Sequence, residues 1–255
     1  MHVDIVPSLA IAFLLAFARI GTLVMLLPGI GEASIPARLR LGAALAITFV
    51  LFPLVRRDYP ALSGPPEPLV RLLIEEIAIG LVLGIAGRII MSALQTAGTI
   101  VAQVLGLSFV TSTDPVQGQQ GALVGSFLSL VGVTFIFATD LHYLAIAAIQ
   151  HSYDIFPPGR LPGTDDSARY VIGLVSGAFA VAVQMSAPIL VFGLIFNVGL
   201  GVLARLMPQM QVFFVAVPAS ILLGFAIFAL VLAAMIGEFA GYFRHTIGVL
   251  TTLGG

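Results

Sequence analysis

Three residue types are absent from this chain: cysteine, tryptophan and lysine. Without cysteine, the chain can form no disulfide, no thiolate metal site and no cysteine nucleophile. Its 11 basic residues are therefore all arginines, and they form no basic run of the kind that grips nucleic acid or anionic lipid. Without tryptophan, anchoring at a membrane surface would fall to tyrosine. The composition thus argues against thiol chemistry and against a nucleic-acid partner.

Charge of either sign is also scarce. Charged residues make up 9% and hydrophobic residues 59% of the 255 positions, with a mean hydropathy of +1.12. A soluble domain carries roughly 25% charged residues, so this chain lacks the polar side chains to cover itself in water. We predict an all-α integral membrane protein in contact with membrane lipid, with about six apolar helical segments, several of them overlong or kinked.

The apolar runs give the predicted helices. The third and fifth runs are too long for a simple span, since a helix rises 1.5 Å per residue and the hydrocarbon core is near 30 Å thick. Pro188 is predicted to kink the fifth run. The six runs are approximately Ser8–Leu27, Leu39–Val55, Leu69–Phe109, Leu123–Gln150, Arg169–Met207 and one from Pro218 to Tyr242.

A polar, glycine-rich stretch, Gly106–Gly125, interrupts two of these runs. Pro115 biases Asp114 away from the helical region, and glycines allow positive φ. Irregular backbone at membrane depth persists only when it is buried in protein or faces a watery cavity. On pattern alone, an ordinary water-exposed connection is favoured over a loop that plugs or lines a conduit.

The helices that flank this stretch have polar residues at helical spacing. Those of the third run point toward the stretch, with Gln95 and Thr96 together taking one position of the pattern. Those of the fourth run are predicted to lie on one face. The predicted polar face consists of Arg88, Ser92, Thr96, Thr99, Gln103, Ser126, Ser129 and Asp140.

Three charges are predicted within apolar runs: Arg19, Arg205 and Glu238. Such charges usually face a bundle interior or a cavity. For Arg19 we expect a carboxylate, a group of carbonyls or a polar cavity within reach, with Asp140, Glu238 or a partner subunit as candidates. Asp140 and His142 could relay protons, although a satisfied contact between helices is the favoured interpretation.

No catalytic signature is present: HExxH, G-x-S-x-G, GxxxxGK[ST] and a GxGxxG after a strand are all missing. Glu75 and Glu76 are adjacent, and a solvated charged turn at a helix start explains them, with Arg71 paired to Glu75 at i,i+4. Nothing resembles a His/Asp/Glu metal cluster. We expect no enzyme activity, no cofactor and no metal.

Several segments, in order and along nearly the whole chain, resemble the FliR family of flagellar biosynthesis proteins and their SctT counterparts in virulence type III secretion. They are ARIGTLVMLLPGIGEASIPARLRLG, EEIAIGLVLGIAGRIIMSALQTAGTIVAQVLGLSFVTSTDP, DLH at Asp140–His142, and APILVFGLIFNVGLGVLARLMPQMQVF. The IPARLRLG segment is more similar to the flagellar branch.

The resemblance implies a core subunit of the type III export gate in the bacterial inner membrane, at the flagellar basal body. It implies assembly with FliP, FliQ and FlhB, and passage of exported flagellar proteins. Family members look like a fusion of the two smaller partners, which suggests a FliP-like part at 1–155 and a FliQ-like part at 156–255.

The resemblance also makes a plug the favoured role of the loop. The corresponding plug residues are Phe109, Val110, Thr111, Ser112, Thr113, Asp114, Pro115, Val116, Gln117, Gly118, Gln119, Gln120 and Gly121. The alternatives are the virulence counterpart, a small-solute or proton-coupled transporter, and a purely structural scaffold. No second copy of the Gly106–Gly125 feature occurs in the C-terminal half, which disfavours an inverted-repeat transporter.

Overall fold

The computed structural model describes residues 5–32, 35–59, 67–107, 122–159, 163–207 and 212–252. Within these ranges the chain forms seven α-helices, a 3-10 helix at Arg56–Asp58, and no strand. The α-helices are α1 (Ile5–Leu26), α2 (Ala37–Val55), α3 (Glu67–Val104), α4 (Ala122–Ala138), α5 (Leu141–Ile155), α6 (Thr164–Leu206) and α7 (Val212–Thr252).

Five of these helices are long and apolar enough to cross a membrane, and six spans result if α4 and α5 count as one broken span. The prediction of an all-α integral membrane protein is therefore confirmed. The long helices α3, α6 and α7 contain 38, 43 and 41 residues. At 1.5 Å per residue they are about 57 to 64 Å long, roughly twice the thickness of a hydrocarbon core. The prediction that the third run forms one helix is also confirmed, and α6 continues through Pro188.

Two predicted elements are wrong. The fourth run is not one helix, because it breaks at Thr139 and Asp140, where Asp140 has a φ of +60°. Aspartate visits this left-handed region more readily than most residues, since its short side chain can bond locally. The last helix begins at Val212 instead of after Pro218. Proline is tolerated inside membrane helices because neighbouring groups can satisfy the freed carbonyl.

The chain divides into two compact units. The first contains Met1–Ile90, Thr139–Val175 and Phe243–Gly255, and the second contains Met91–Ala138 and Ser176–Tyr242. Helices α3, α6 and α7 therefore contribute residues to both. The division into parts at 1–155 and 156–255 concerns a likeness to partner folds, and it stays a prediction.

In the first unit, α1 packs along α2 and against the N-terminal half of α3. A Cβ on Gly80 would lie 2.6 Å from the Arg19 carbonyl oxygen, and one on Gly84 would lie 2.7 Å from the Leu26 Cβ. The two glycines therefore let α3 approach α1 closely, as small residues four apart do in membrane helix pairs. This contact brings Arg19 of α1 beside the carboxylates of α3.

Candidate functional site

The predicted plug loop, Phe109–Gly121, lies outside the described residues. The structure describes the two helices that carry it, α3 before the loop and α4 after it. We name the C-terminal end of α3 and the helix α4 the two stems of the loop. Both stems belong to the second unit, which contains Met91–Ala138.

The first stem is the C-terminal end of α3, which packs into space left by glycines. A Cβ on Gly193 of α6 would overlap the Val104 side chain, and a Cβ on Gly224 of α7 would overlap the fully buried Leu105. Directly afterwards, Gly106 has a φ of +76°, which lets the chain leave the helix without strain. The residues that lead into the loop are thus held against both α6 and α7.

The second stem is α4, which crosses α3 with the two backbones in contact. A Cβ on Gly98 would overlap the backbone of Gly125, and one on Gly125 would lie 3.0 Å from the Gln95 carbonyl oxygen. Two turns further along α4, a Cβ on Gly132 would overlap the Leu94 side chain. Close contact at both positions fixes the distance between the helices that carry the loop.

One face of α3 is exposed along most of its length, and its character changes at Arg88. The exposed positions recur every three or four residues, as one side of a helix requires. In the N-terminal half they are apolar apart from Arg71, and they include Val70, Ile74, Ile77, Leu81 and Ile85. From Arg88 onward they are polar, namely Arg88, Gln95, Thr99 and Gln103, with Ser92 half-buried among them. Since lipid cannot satisfy such groups, the second half of this face is suited to water or to a polar protein surface.

The predicted polar face is thus partly exposed. Thr99, Gln103 and Ser126 are exposed, whereas Thr96 and Ser129 are half-buried, so the face passes through Gln95 and not Thr96.

The two remaining predicted polar residues are Arg88, which begins the polar half of the α3 face, and Asp140, which lies elsewhere in the fold. Arg88 is exposed and donates to the Gly31 carbonyl oxygen at 3.3 Å. Because α4 ends at Ala138, Asp140 does not continue the face of Ser126 and Ser129 that an unbroken helix would give it. Asp140 is instead exposed at the start of α5, and the ring of His142 lies against that of Tyr143.

Arg19 is the largest fully buried side chain among the described residues, and its guanidinium is paired on several sides. Its Nε donates to Glu76 Oε2 at 2.6 Å and its Nη2 donates to Oε1 at 2.9 Å. This is a bidentate ion pair, the strongest geometry available to arginine. The remaining donors reach the carbonyl oxygens of Ser152 at 3.1 Å and Phe156 at 2.9 Å. These carbonyls lie at the C-terminal end of α5, where a positive charge is favourable.

Two tyrosines complete what we name the Arg19 cluster: Arg19, Tyr59, Glu76 and Tyr153. The Tyr59 hydroxyl donates to Glu76 Oε2 at 3.0 Å. The Tyr153 hydroxyl lies 3.3 Å from the Tyr59 hydroxyl. The Arg19 Cζ lies 4.2 Å from the centroid of the Tyr153 ring. Burial raises the pKa of Tyr59 well above its ordinary value, so this hydroxyl remains a donor. The cluster joins α1, α3, α5 and the segment after α2 within the first unit.

The predicted class of partner for Arg19, a carboxylate with carbonyl oxygens, is confirmed, but the candidates Asp140 and Glu238 are wrong because both are exposed. The interpretation of Glu75 and Glu76 as a solvated turn is also wrong. Glu76 is fully buried, and Glu75 is 2% exposed and pairs at 2.9 Å with Arg71, as the i,i+4 spacing predicted. A usable signal was present, since Glu76 lies well inside an apolar run and not before it.

The remaining predicted charges, Arg205 and Glu238, are exposed and form no ion pair among the described residues. No group of three His, Asp or Glu side chains in the described part of the chain could hold a metal ion. The second unit has a cavity of about 760 Å³ beside the end of α3, lined by apolar residues with Gln103, Asn197 and Ser220. None of the described residues that line this cavity is charged, so they offer nothing to neutralise a metal ion or a phosphate.

Together these features define an integral membrane protein with overlong helices, a buried ion-pair cluster and two tightly packed helices, α3 and α4, on either side of a polar sequence segment. The chain belongs to the family of bacterial export proteins, family 1, which it matches over residues 10–246.

Relatives cover nearly the whole chain. It is 40% identical to the flagellar biosynthetic protein FliR of Caulobacter vibrioides, over 93% of this chain and 94% of that protein. It is 28% identical to the flagellar biosynthetic protein FliR of Bacillus subtilis, over 98% and 96%. It is 24% identical to the Yop proteins translocation protein T of Yersinia pestis, over 86% and 84%.

Proposed function

We propose that this chain is a core subunit of the flagellar type III protein export gate in the bacterial inner membrane. In this role it helps to form and close the channel through which flagellar proteins leave the cell, without catalysing a reaction. The observation that carries the proposal is the 40% identity to the Caulobacter FliR along nearly the full length of both chains. The lower identity of 24% to the Yersinia translocation protein T favours the flagellar over the virulence system.

The proposed partners are FliP, FliQ and FlhB. Exposed apolar surface supports a multi-subunit assembly, because only 11% of an 18-residue apolar stretch of α6 and 22% of such a stretch of α7 are buried in this chain. Both helices are about twice as long as a hydrocarbon core is thick, so lipid alone would leave much of their surface uncovered. Neighbouring helices of similar length would cover it.

The plug is assigned to Phe109–Gly121. Its glycines and glutamines provide backbone freedom and uncharged hydrogen-bonding groups. The stems support this role, because a steric plug needs a fixed base and both ends of the loop start from helices in glycine-mediated contact. The polar half of the exposed α3 face, which leads to the loop, is proposed to line the water-filled side of the gate.

A complementation experiment tests the proposed function. In a flagellated bacterium that lacks its own FliR, the intact chain is expected to restore export of flagellar proteins to the medium, with an affinity tag retrieving FliP and FliQ. A chain without residues 212–252, which lacks α7, serves as the negative control. Normal membrane levels of the intact chain with neither export nor co-purification would contradict the proposal.

A further inference from the structure

Glu238 is an exposed carboxylate within Ala216–Gly248, the part of α7 that is long and apolar enough to cross a membrane. It belongs to none of the ion pairs in the described part of the chain. Ionisable residues in membrane segments usually pair with another group or face a cavity, because lipid cannot solvate them. The described part of the chain therefore leaves the requirement of Glu238 unmet.

Glu238 lines a recess of about 400 Å³ in the second unit, between α6 and α7. Besides Glu238, the only polar side chain among the described residues of its lining is Gln184 of α6, which is also exposed. The rest of the lining is apolar and includes Pro188, Val231 and Met235. The recess thus offers a carboxylate and an amide within an otherwise apolar surface.

The surface beside Glu238 is open to close approach. Gly237 and Gly241 lie on the exposed side of α7, and a Cβ on either would meet no atom within 4 Å. Small residues four apart allow the backbone of a second membrane helix to come near. Here no helix of the described chain uses that space, in contrast to Gly80 and Gly84, which contact α1.

We infer that the recess formed by Gln184 and Glu238 receives an arginine or lysine side chain from an apolar helix of a different subunit. An acyl chain could occupy the recess but would leave the carboxylate unpaired. A basic side chain complements its charge and would donate a further N–H to the Gln184 amide oxygen. Gly237 and Gly241 allow the helix that carries it to pack close to α7. This inference rests on the proposed membership of a multi-subunit gate.

The test uses the assembled complex purified through a tag on this chain. Glu238→Gln keeps the shape and removes the charge, so retention of the contacting subunit should fall about fivefold or more, in keeping with polar contacts between membrane helices. Glu238→Asp should retain most of it. Asp165→Asn removes an exposed carboxylate at the start of α6, outside the recess, and should change nothing.

Proximity is measured separately, and the cysteine-free sequence makes this direct. The Gly241→Cys thiol should react with a maleimide in the denatured chain and be protected in the assembled complex. It should also cross-link to a different subunit and not to a second copy of this chain. Equal retention for Glu238→Gln and wild type, or equal labelling in both states, would overturn the inference. A wild-type chain that retains no partner would overturn the proposed function as well, which distinguishes the two failures.

Discussion

A buried arginine in a membrane helix is stable only if its charge and its donors are satisfied, and Arg19 meets this need through one carboxylate and two carbonyl oxygens. Removing one partner of a buried pair leaves an uncompensated charge. Replacing both partners with apolar residues of similar size is often close to neutral. A comparison of the two kinds of change therefore separates the contribution of the ion pair to stability from that of the packing around it.

At the scale of this residue pair, Glu76→Gln should lower the free energy of unfolding by about 3 kcal/mol, because it strands the Arg19 charge in a fully buried position. Thermal unfolding of the solubilised assembly measures the effect. Arg19→Met combined with Glu76→Met should recover most of the loss. A Glu76→Gln protein as stable as wild type would show that the pair contributes little.

Tyr59→Phe is the milder change in the same cluster. It removes the hydrogen bonds of the Tyr59 hydroxyl with Glu76 and Tyr153, and should cost about 1 to 2 kcal/mol in the same measurement. The ion pair remains in place, so the assembly should still form. A loss as large as that of Glu76→Gln would mean that the tyrosine and not the arginine satisfies the carboxylate.

At the scale of the helices, α3 organises both stems of the predicted loop. It contacts α4 backbone to backbone at Gly98 and Gly125, and its end packs into α6 and α7 at Gly193 and Gly224. Such contacts depend on the absence of a side chain. At Gly98 even one methyl group must move a helix, since the atoms it meets belong to the backbone of α4 and not to the flexible end of a side chain.

Gly98→Ala should therefore reduce the yield of folded assembly severalfold, although alanine is the better helix former. Gly42→Ala in α2 is the matched control, because a Cβ there meets no atom within 4 Å. That change should be neutral or stabilising by up to roughly 1 kcal/mol. The yield of folded assembly is measured for both variants by size-exclusion chromatography. If Gly98→Ala matched Gly42→Ala, the tight crossing of α3 and α4 would be wrong.

The long helices α3 and α6 could be predicted from the sequence, because continuous apolar runs fix where these helices of 38 and 43 residues lie. For α7 the apolar run predicted only the central part of the helix, which extends beyond it at both ends. The break at Asp140 could not, since a single aspartate with positive φ has no pattern of its own. Glu76 was missed for a different reason. Its partner Arg19 is 57 residues away, and spacing within one helix carries no information on which other helix packs against it.

At the scale of the whole molecule, helices twice as long as the membrane is thick imply that the protein folds as part of a larger assembly. We expect the chain expressed alone to aggregate or to remain heterogeneous in detergent, and to become monodisperse when produced with its partners. Multi-angle light scattering of both preparations provides the comparison. A monodisperse, helical monomer that unfolds cooperatively on its own would refute this view.

The proposed plug, Phe109–Gly121, is expected to close the gate by filling space, so the length of the loop should matter more than any single side chain. Deletion of Gln117–Gln120 should make cells leak ions or small molecules while FliP and FliQ still co-purify, and Gln117→Ala should have a much smaller effect. The measurement is membrane permeability of cells that produce each variant. An assembled deletion variant that stays as tight as wild type would mean that the loop is only a connection between α3 and α4.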